Sequence, residues 1–265
     1  MRILYIICIA GIVSAALLWL GKLNLLRRKV AAALAVCCLA VSGALLTLAV
    51  LPGNSFYGDT LTGVKTDKKL IALTFDDGPY PPYTQELLKV LADKNIHATF
   101  FMVGDNAFEH QNAVKLVYSQ GHEIALHAGK HQDLLKLNRQ EIAANIDSGK
   151  MTLQWLTGEK VKYMRPPHGF RDWAVMDEIE KAGLRAVNWD IIPRDWTIPG
   201  AEEIARRVCE KAHPGAIVLL HDGDSPKKTA SRQQTIEATS MIIDRLRAEG
   251  YEFVTISQLL AAQNK

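Results

Sequence analysis

The pattern of apolar and polar positions divides the chain in two. From Ile3 to Gly21 nineteen residues pass without a charge, and from Val30 to Gly58 there are twenty-nine, of which Val30–Leu51 are almost wholly apolar. Each run is long enough, at about 20 residues, to cross a bilayer core as a helix. Asn54–Lys65 contains Gly, Ser and Thr and lacks periodicity, which reads as a linker. Beyond it, short apolar runs of strand type alternate with amphipathic runs of helix type. Strands are expected near Leu70–Phe75, Ala98–Val103, Glu123–Leu126, Val161–Met164, Arg185–Asp190, Ala216–Leu220 and Phe253–Ile256. Helices are expected near Tyr83–Lys94, Asn106–Gln120, Arg139–Thr157, Trp173–Ala182, Ala201–Ala212 and Arg232–Glu249. Asn138–Glu141 reads as a capping box, and Gly121, Gly183 and Gly250 as helix stops. Seven strands separated by long helices imply a mostly parallel sheet, either open and doubly wound or closed as a barrel. In both, chemistry belongs beyond the carboxyl ends of the strands. The expected organisation is two transmembrane helices in residues 1–52 (about 3–21 and 30–51) with a loop at 22–29, a juxtamembrane linker at 53–68, and one α/β domain over 69–265.

Charge adds the orientation. The 265 residues carry 31 Lys+Arg against 28 Asp+Glu, a formal +3. Residues 1–52 hold five of the basic residues (Arg2, Lys22, Arg27, Arg28, Lys29) and no acid, so the remainder, with 26 basic and 28 acidic, is −2. No basic excess is left to neutralise phosphates, which argues against a nucleic-acid partner. With 48% hydrophobic and 22% charged residues the chain has the material for a core. Four of the five N-terminal charges sit between the apolar runs, so that loop is expected in the cytoplasm and both chain ends outside it. The competing reading, a cleaved signal peptide over Ile3–Gly21, lacks a small-x-small cleavage site before Lys22, and a second span follows at once. Either way the larger domain is exported. The expected location is the cell membrane, with two spans, the bilayer lipid as a partner and an extracytoplasmic domain. Only Cys209 lies in that domain, which excludes an internal disulfide there.

Five polar clusters follow the expected strands. Thr74-Phe75-Asp76-Asp77-Gly78-Pro79 offers two adjacent carboxylates, one able to hold a cation while the other stays free as a base; alone it is equally good turn chemistry. His127-Ala128-Gly129-Lys130-His131 places two imidazoles four apart, on one side of a helical turn, suited to a divalent transition metal. With a carboxylate from the first cluster they make three protein ligands and leave a position for water, the pattern of a catalytic zinc site. Arg165-Pro166-Pro167-His168-Gly169 launches an Arg from a stiffened backbone. Trp189–Trp196 carries Asp190 and Asp195 between aromatics, and Val218–Gly223 brings His221 out of an apolar strand. Each has a plain structural reading by itself; five at the same end of five strands do not share one.

These clusters, in this order over about Lys69–Leu260, resemble the five motifs of the polysaccharide deacetylase family, the carbohydrate esterases of family 4 whose catalytic unit is the NodB homology domain. The resemblance implies a distorted (β/α) barrel of about seven parallel strands, preceded here by the two transmembrane helices. It implies a metal-dependent hydrolase that removes N-acetyl groups from amino sugars. Asp77, His127 and His131 would hold one divalent transition metal, zinc first. Asp76 would be the general base with Arg165 paired to it, and His221 the general acid oriented by Asp195. Leu219 and Trp196 would receive the acetyl methyl group, and the backbone N–H of His168 would help bind the oxyanion. The chain departs from the family pattern at Ala128 and Gln132, where Ser/Thr and Pro are usual, at His168, where an aromatic is common, and at Ile192, where Asp is frequent. The expected substrate is a cell-envelope polysaccharide, peptidoglycan or chitin-like oligomers. The alternatives are deacylation or deformylation of a lipid-linked amino sugar, and a glycan-binding pseudoenzyme.

Overall fold

A computed structural model of the full chain describes residues 2–263; Met1, Asn264 and Lys265, the outermost residues of the expected regions, lie outside it. Two long helices, α1 (Ile3–Lys22) and α2 (Arg28–Val50), form an antiparallel hairpin, and both are long and apolar enough to cross a membrane. Small residues let them approach: Ser14 Oγ donates to the Ala35 carbonyl at 3.3 Å, and Gly21 packs on Ala31. The α/β domain then runs β1 (Thr60–Leu61), β2 (Leu70–Asp76), α3 (Tyr83–Asp93), β3 (Thr99–Met102), α4 (Gly104–Glu109), α5 (Gln111–Ser119), β4 (Glu123–Leu126), α6 (Arg139–Thr157), β5 (Tyr163–Met164), α7 (Trp173–Lys181), β6 (Arg185–Val187), α8 (Ala201–Cys209), β7 (Ala216–His221), α9 (Gln233–Ala248), β8 (Glu252–Phe253) and α10 (Ile256–Ala261).

The sheet order is β1-β6-β5-β4-β3-β2-β7, parallel throughout, with β8 pairing to the start of β2. The sheet curls until its two edges meet. Ile191, just past β6, bridges Val218 of β7, and the Leu219 N–H donates to the Ile191 carbonyl at 2.9 Å. The expected distorted barrel is therefore the observed architecture.

Strand periodicity of two separates the apolar residues into two cores. Ile71, Leu73, Phe75, Phe100, Met102, Val218 and Leu220 face outward under the helices. Leu70, Ala72, Phe101, Ala125, Tyr163, Val187, Trp189, Ile217 and Leu219 fill the barrel. By the same parity Thr74, Asp76, His127, Arg165 and His221 point inward at the carboxyl-terminal mouth.

Several sequence expectations change. The segment 53–68, read as a linker, belongs to the fold: Thr60–Leu61 pairs with Ala186–Val187, and the Val64 N–H donates to Gly215 O at 2.9 Å. It has no periodicity because a two-residue strand is too short to show any. The helix expected over Asn106–Gln120 begins at Gly104 and breaks at His110 (φ −119°, ψ 49°) into α4 and α5. The final strand is shorter and is followed by α10, opened by a Thr255–Gln258 capping box. The Asn138–Glu141 box forms as expected and starts α6.

Gly149 interrupts the middle of α6, where glycine ordinarily costs about 1 kcal/mol against alanine. The reason is proximity: a Cβ there would lie 2.8 Å from Gly129 Cα and 2.9 Å from Ala128 O, in the loop that carries His127 and His131. Gly149→Ala in the full chain is therefore expected to lower stability by about 1–3 kcal/mol through overpacking. A raised Tm in a thermal melt would contradict this packing argument.

Candidate active site

At the end of β2, all seven residues of which are buried, Asp76 keeps the strand's inward parity while Asp77 turns to φ 74°. A left-handed φ is uncommon for a residue with a side chain. Here it divides two adjacent carboxylates between two tasks. Asp76 Oδ1 accepts from Arg165 Nη1 at 2.5 Å. Asp77 Oδ1 faces the Nε2 atoms of His127 at 3.5 Å and His131 at 3.3 Å. Close neighbours leave no room for side chains here: a Cβ on Gly78 would meet the Asp222 carboxylate at 2.3 Å, and one on Gly223 would meet the Asp77 carbonyl at 2.2 Å.

The loop carrying the two histidines is irregular rather than the helical turn expected from their spacing, with Ala128 at φ 67°. The left-handed Ala128, and not helical periodicity, brings the imidazoles together, 5.1 Å between centroids. Although Ala128 and Gln132 stand where the family pattern has Ser/Thr and Pro, the loop is held by side-chain hydrogen bonds from elsewhere. Asn145 of α6 accepts from the Gly129 and Lys130 N–H groups at 2.7 and 3.1 Å, and its amide donates to Lys130 O and Gln132 Oε1 at 3.2 and 3.3 Å.

Asp77, His127 and His131 present one ligand atom each, all within 4.8 Å of one another. The donor chemistry fits a divalent transition metal. His127 Nδ1 donates to the Arg165 carbonyl at 2.8 Å, which fixes the tautomer and leaves Nε2 with its lone pair. Asp77 Oδ1 is buried without a hydrogen-bond partner, an acceptor that a cation would satisfy. Burial pulls both imidazoles below their ordinary value, His127 well below, and so holds them in the neutral, ligating form.

Arg165 is wholly buried. Besides Asp76 it donates to Thr74 Oγ1 at 2.9 Å, Val187 O at 3.2 Å and Asn188 O at 2.9 Å, and its guanidinium lies 4.0 Å from the Phe101 ring centroid. Burial nonetheless outweighs the arginine's pull and pushes Asp76 up to about 6. Across the mouth, His221 Nδ1 meets Asp195 Oδ1 at 2.8 Å. The other oxygen, Asp195 Oδ2, accepts from the His221 N–H at 2.9 Å and from Thr235 Oγ1 at 3.0 Å. Burial alone would strip the His221 proton, but Asp195, with Asp77 and Asp76 farther off, outweighs it and pushes the imidazole up to about 9. Burial acts the other way on Asp195, where His221 overrides it and holds the carboxyl below its ordinary value.

A cavity of about 620 Å³ gathers Asp76, Asp77, His127, His131, His168, Trp196, Leu219 and His221. Leu219 is its buried floor and Trp196, 40% exposed, its rim, edge-on to His221 at 5.2 Å. The His168 ring packs against His131, 4.9 Å between centroids, and Ile192 also lines the wall. Arg165 and Asp195 stand behind this surface. Every site residue expected from sequence thus falls in one assembly, in two tiers. Thr74, Asn145 and Thr235 were missed. Thr74 shares the face of Asp76 and parity alone could have assigned it; Thr235 sits in Arg232-Gln233-Gln234-Thr235 at the start of α9, a stretch that resembles the family without indicating a role, and Asn145 lies on a helix with no local signal. Asp222 was also missed: buried, with Thr84 Oγ1 donating to it at 2.6 Å, it is pushed up to about 7 by burial.

The polysaccharide deacetylase family model matches residues 63–187. A peptidoglycan-N-acetylglucosamine deacetylase of Bacillus cereus is 38% identical over 199 residues, 74% of this chain and 91% of that protein. A chitooligosaccharide deacetylase of Sinorhizobium fredii is 36% identical over 194 residues, 71% of this chain and 90% of that one. The crystal structure of a peptidoglycan N-acetylglucosamine deacetylase bound to an N-oxidanyl-benzamide superposes with a TM-score of 0.72 at 30% identity, covering 76% of this chain and 92% of that chain.

The electrostatics of the second pair can be checked without activity. Asp195→Asn removes the largest charge that offsets burial, so His221 is expected to titrate well below about 9. Histidine-ring NMR titration reads this directly, and a value still near 9 would rule out Asp195 as the cause.

Proposed function

We propose, from the premise that this chain belongs to the polysaccharide deacetylase family of hydrolases, that it removes N-acetyl groups from amino sugars of a cell-envelope glycan of the peptidoglycan or chitin-like class. In this reading α1 and α2 span the cell membrane and hold the catalytic domain outside the cytoplasm. The observation that carries the proposal is the convergence on one cavity of the Asp77–His127–His131 set, the Asp76–Arg165 pair and the His221–Asp195 pair. The intact acid and base pairs speak against a binding-only role.

Asp77, His127 and His131 would hold a divalent transition metal, zinc first, which would supply the Lewis acidity to polarise an amide carbonyl and acidify water. The chain's own groups do the rest. Asp76, aimed by Arg165, takes a proton from the water that attacks the acetyl carbon. His221 holds its proton at Nε2, because Nδ1 is committed to Asp195, and gives it to the sugar nitrogen as the C–N bond breaks. Acetate and a free amine leave. The methyl group rests against Leu219 and Trp196, and the His168 N–H meets the developing oxyanion.

Asp76→Asn and His221→Ala are each expected to lower turnover on chitooligosaccharides by about 10²–10⁴-fold with metal content unchanged, and wild-type rates in either would remove its assigned role. The pH profile follows from the same two groups. Asp76 must be deprotonated, so kcat/KM should rise through about pH 6, a limb that a bound cation moves lower. His221 must be protonated, so kcat/KM should fall through about pH 9. Acetate release across pH 4–10 tests both limbs; an activity still climbing beyond about pH 10 would exclude His221 as the acid.

A further inference from the structure

The hairpin is part of the catalytic domain's surface. Arg2, at the start of α1, pairs with Asp172 at 3.0 Å, and both are buried. The same carboxylate accepts from the Ile3 N–H at 3.0 Å and caps α7 through the Val175 N–H at 3.0 Å. At the other end Arg171, wholly buried, donates to the carbonyls of Leu51 and Pro52 at 3.1 and 3.0 Å, closing the carboxyl end of α2. The domain core continues onto the helices as far as Ile7 and Leu45, and Tyr57 Oη donates to the Leu45 carbonyl at 2.6 Å.

This docking uses up helix. Roughly 22 Å of α1 and roughly 26 Å of α2 stay clear of the domain, against about 30 Å of bilayer hydrocarbon. With the hairpin in a membrane, the underside of the domain lies in the lipid interface. The side chains there suit that position: Phe56, 50% exposed, clusters with Tyr57 and Trp173 at centroid distances of 5.0 and 5.6 Å, an aromatic group of the kind that sits at headgroup level.

The active-site cavity reaches this same edge. Val50, in the last turn of α2, and Pro52 form part of its wall beside His168, Phe170 and Trp189. Asn188 Nδ2 donates to Pro52 O at 3.3 Å and fixes the wall to the sheet. A polymer lying well beyond the membrane has no reason to meet a wall made from the end of a span. We infer that the substrate is an N-acetylated amino sugar still joined to a membrane lipid, the sugar entering past Val50, Pro52 and Phe170 while the lipid chain stays in the bilayer. The inference rests on the deacetylase reading and narrows its substrate. Deacetylation then precedes the reaction that transfers the sugar from its lipid.

The test uses the full chain in vesicles of phosphatidylethanolamine and phosphatidylglycerol, with acetate release as readout. N-acetylglucosamine is supplied on a polyprenyl pyrophosphate, on diacylglycerol, on diacylglycerol through a long polyethylene glycol spacer, and free as chitotetraose. At least one direct conjugate is expected to exceed the spacer conjugate in kcat/KM by about fivefold or more, and chitotetraose by more again. Val50→Glu is expected to abolish the preference for the direct over the spacer conjugate. Parity between direct and spacer conjugates would mean that the bilayer only concentrates the substrate, and would overturn the inference while leaving the deacetylase reading intact. No acetate from any of the four, with metal bound, would overturn that reading itself.

Discussion

A guanidinium without access to water holds the middle of this barrel. Arg165 leaves the end of β5 and reaches across the curl, so that Thr74 and Asp76 of β2 and the carbonyls of Val187 and Asn188 at the end of β6 all close on one charge. Burying an unpaired charge is prohibitive, and breaking a buried pair typically costs about 3–5 kcal/mol. The barrel mouth therefore has one arrangement in which all of these groups are satisfied. In it Asp76 is aimed by Arg165, while its carbonyl accepts from the Asp222 and Gly223 N–H groups at 3.2 Å. Asp77, at φ 74° with its own carbonyl held by Asn106, then faces the two histidines.

The second constraint is the buried Arg2–Asp172 pair. Arg2 lies one residue before α1 and Asp172 one residue before α7, and with their side chains buried each charge depends on the other. The same pair fastens the first helix to the loop before α7, and Arg171, the adjacent residue, fastens the second. Two neighbouring residues of opposite charge thus turn an apolar hairpin and an α/β barrel into one body.

The alternation of strands and helices, the parallel sheet and the inward-facing motif residues were all legible, because each depends on local periodicity or on a strand end. The break at His110 was not, since α4 and α5 together keep the apolar spacing of one helix. The strand at Thr60–Leu61 carries two residues' worth of pattern and owes its place to the exposed edge of β6. The histidine pair was read correctly as a pair and wrongly as a helical turn: spacing by four is compatible with both, and only the contact of Gly129 with Gly149 and Asn145 selects the loop.

By itself the amino-acid sequence determined the order of elements, the division into apolar hairpin and α/β domain, and the polar side chains that gather at the barrel mouth, because hydrophobic period and residue type are properties of short stretches. The tertiary structure alone decided that Asn145 steadies the loop of His127 and His131, that Thr235 helps hold the partner of His221, and that the end of α2 walls the cavity. Those contacts join residues tens to more than a hundred positions apart. What brings them together is the curling of the sheet and the burial of charges that must find partners, and neither leaves a trace in local sequence.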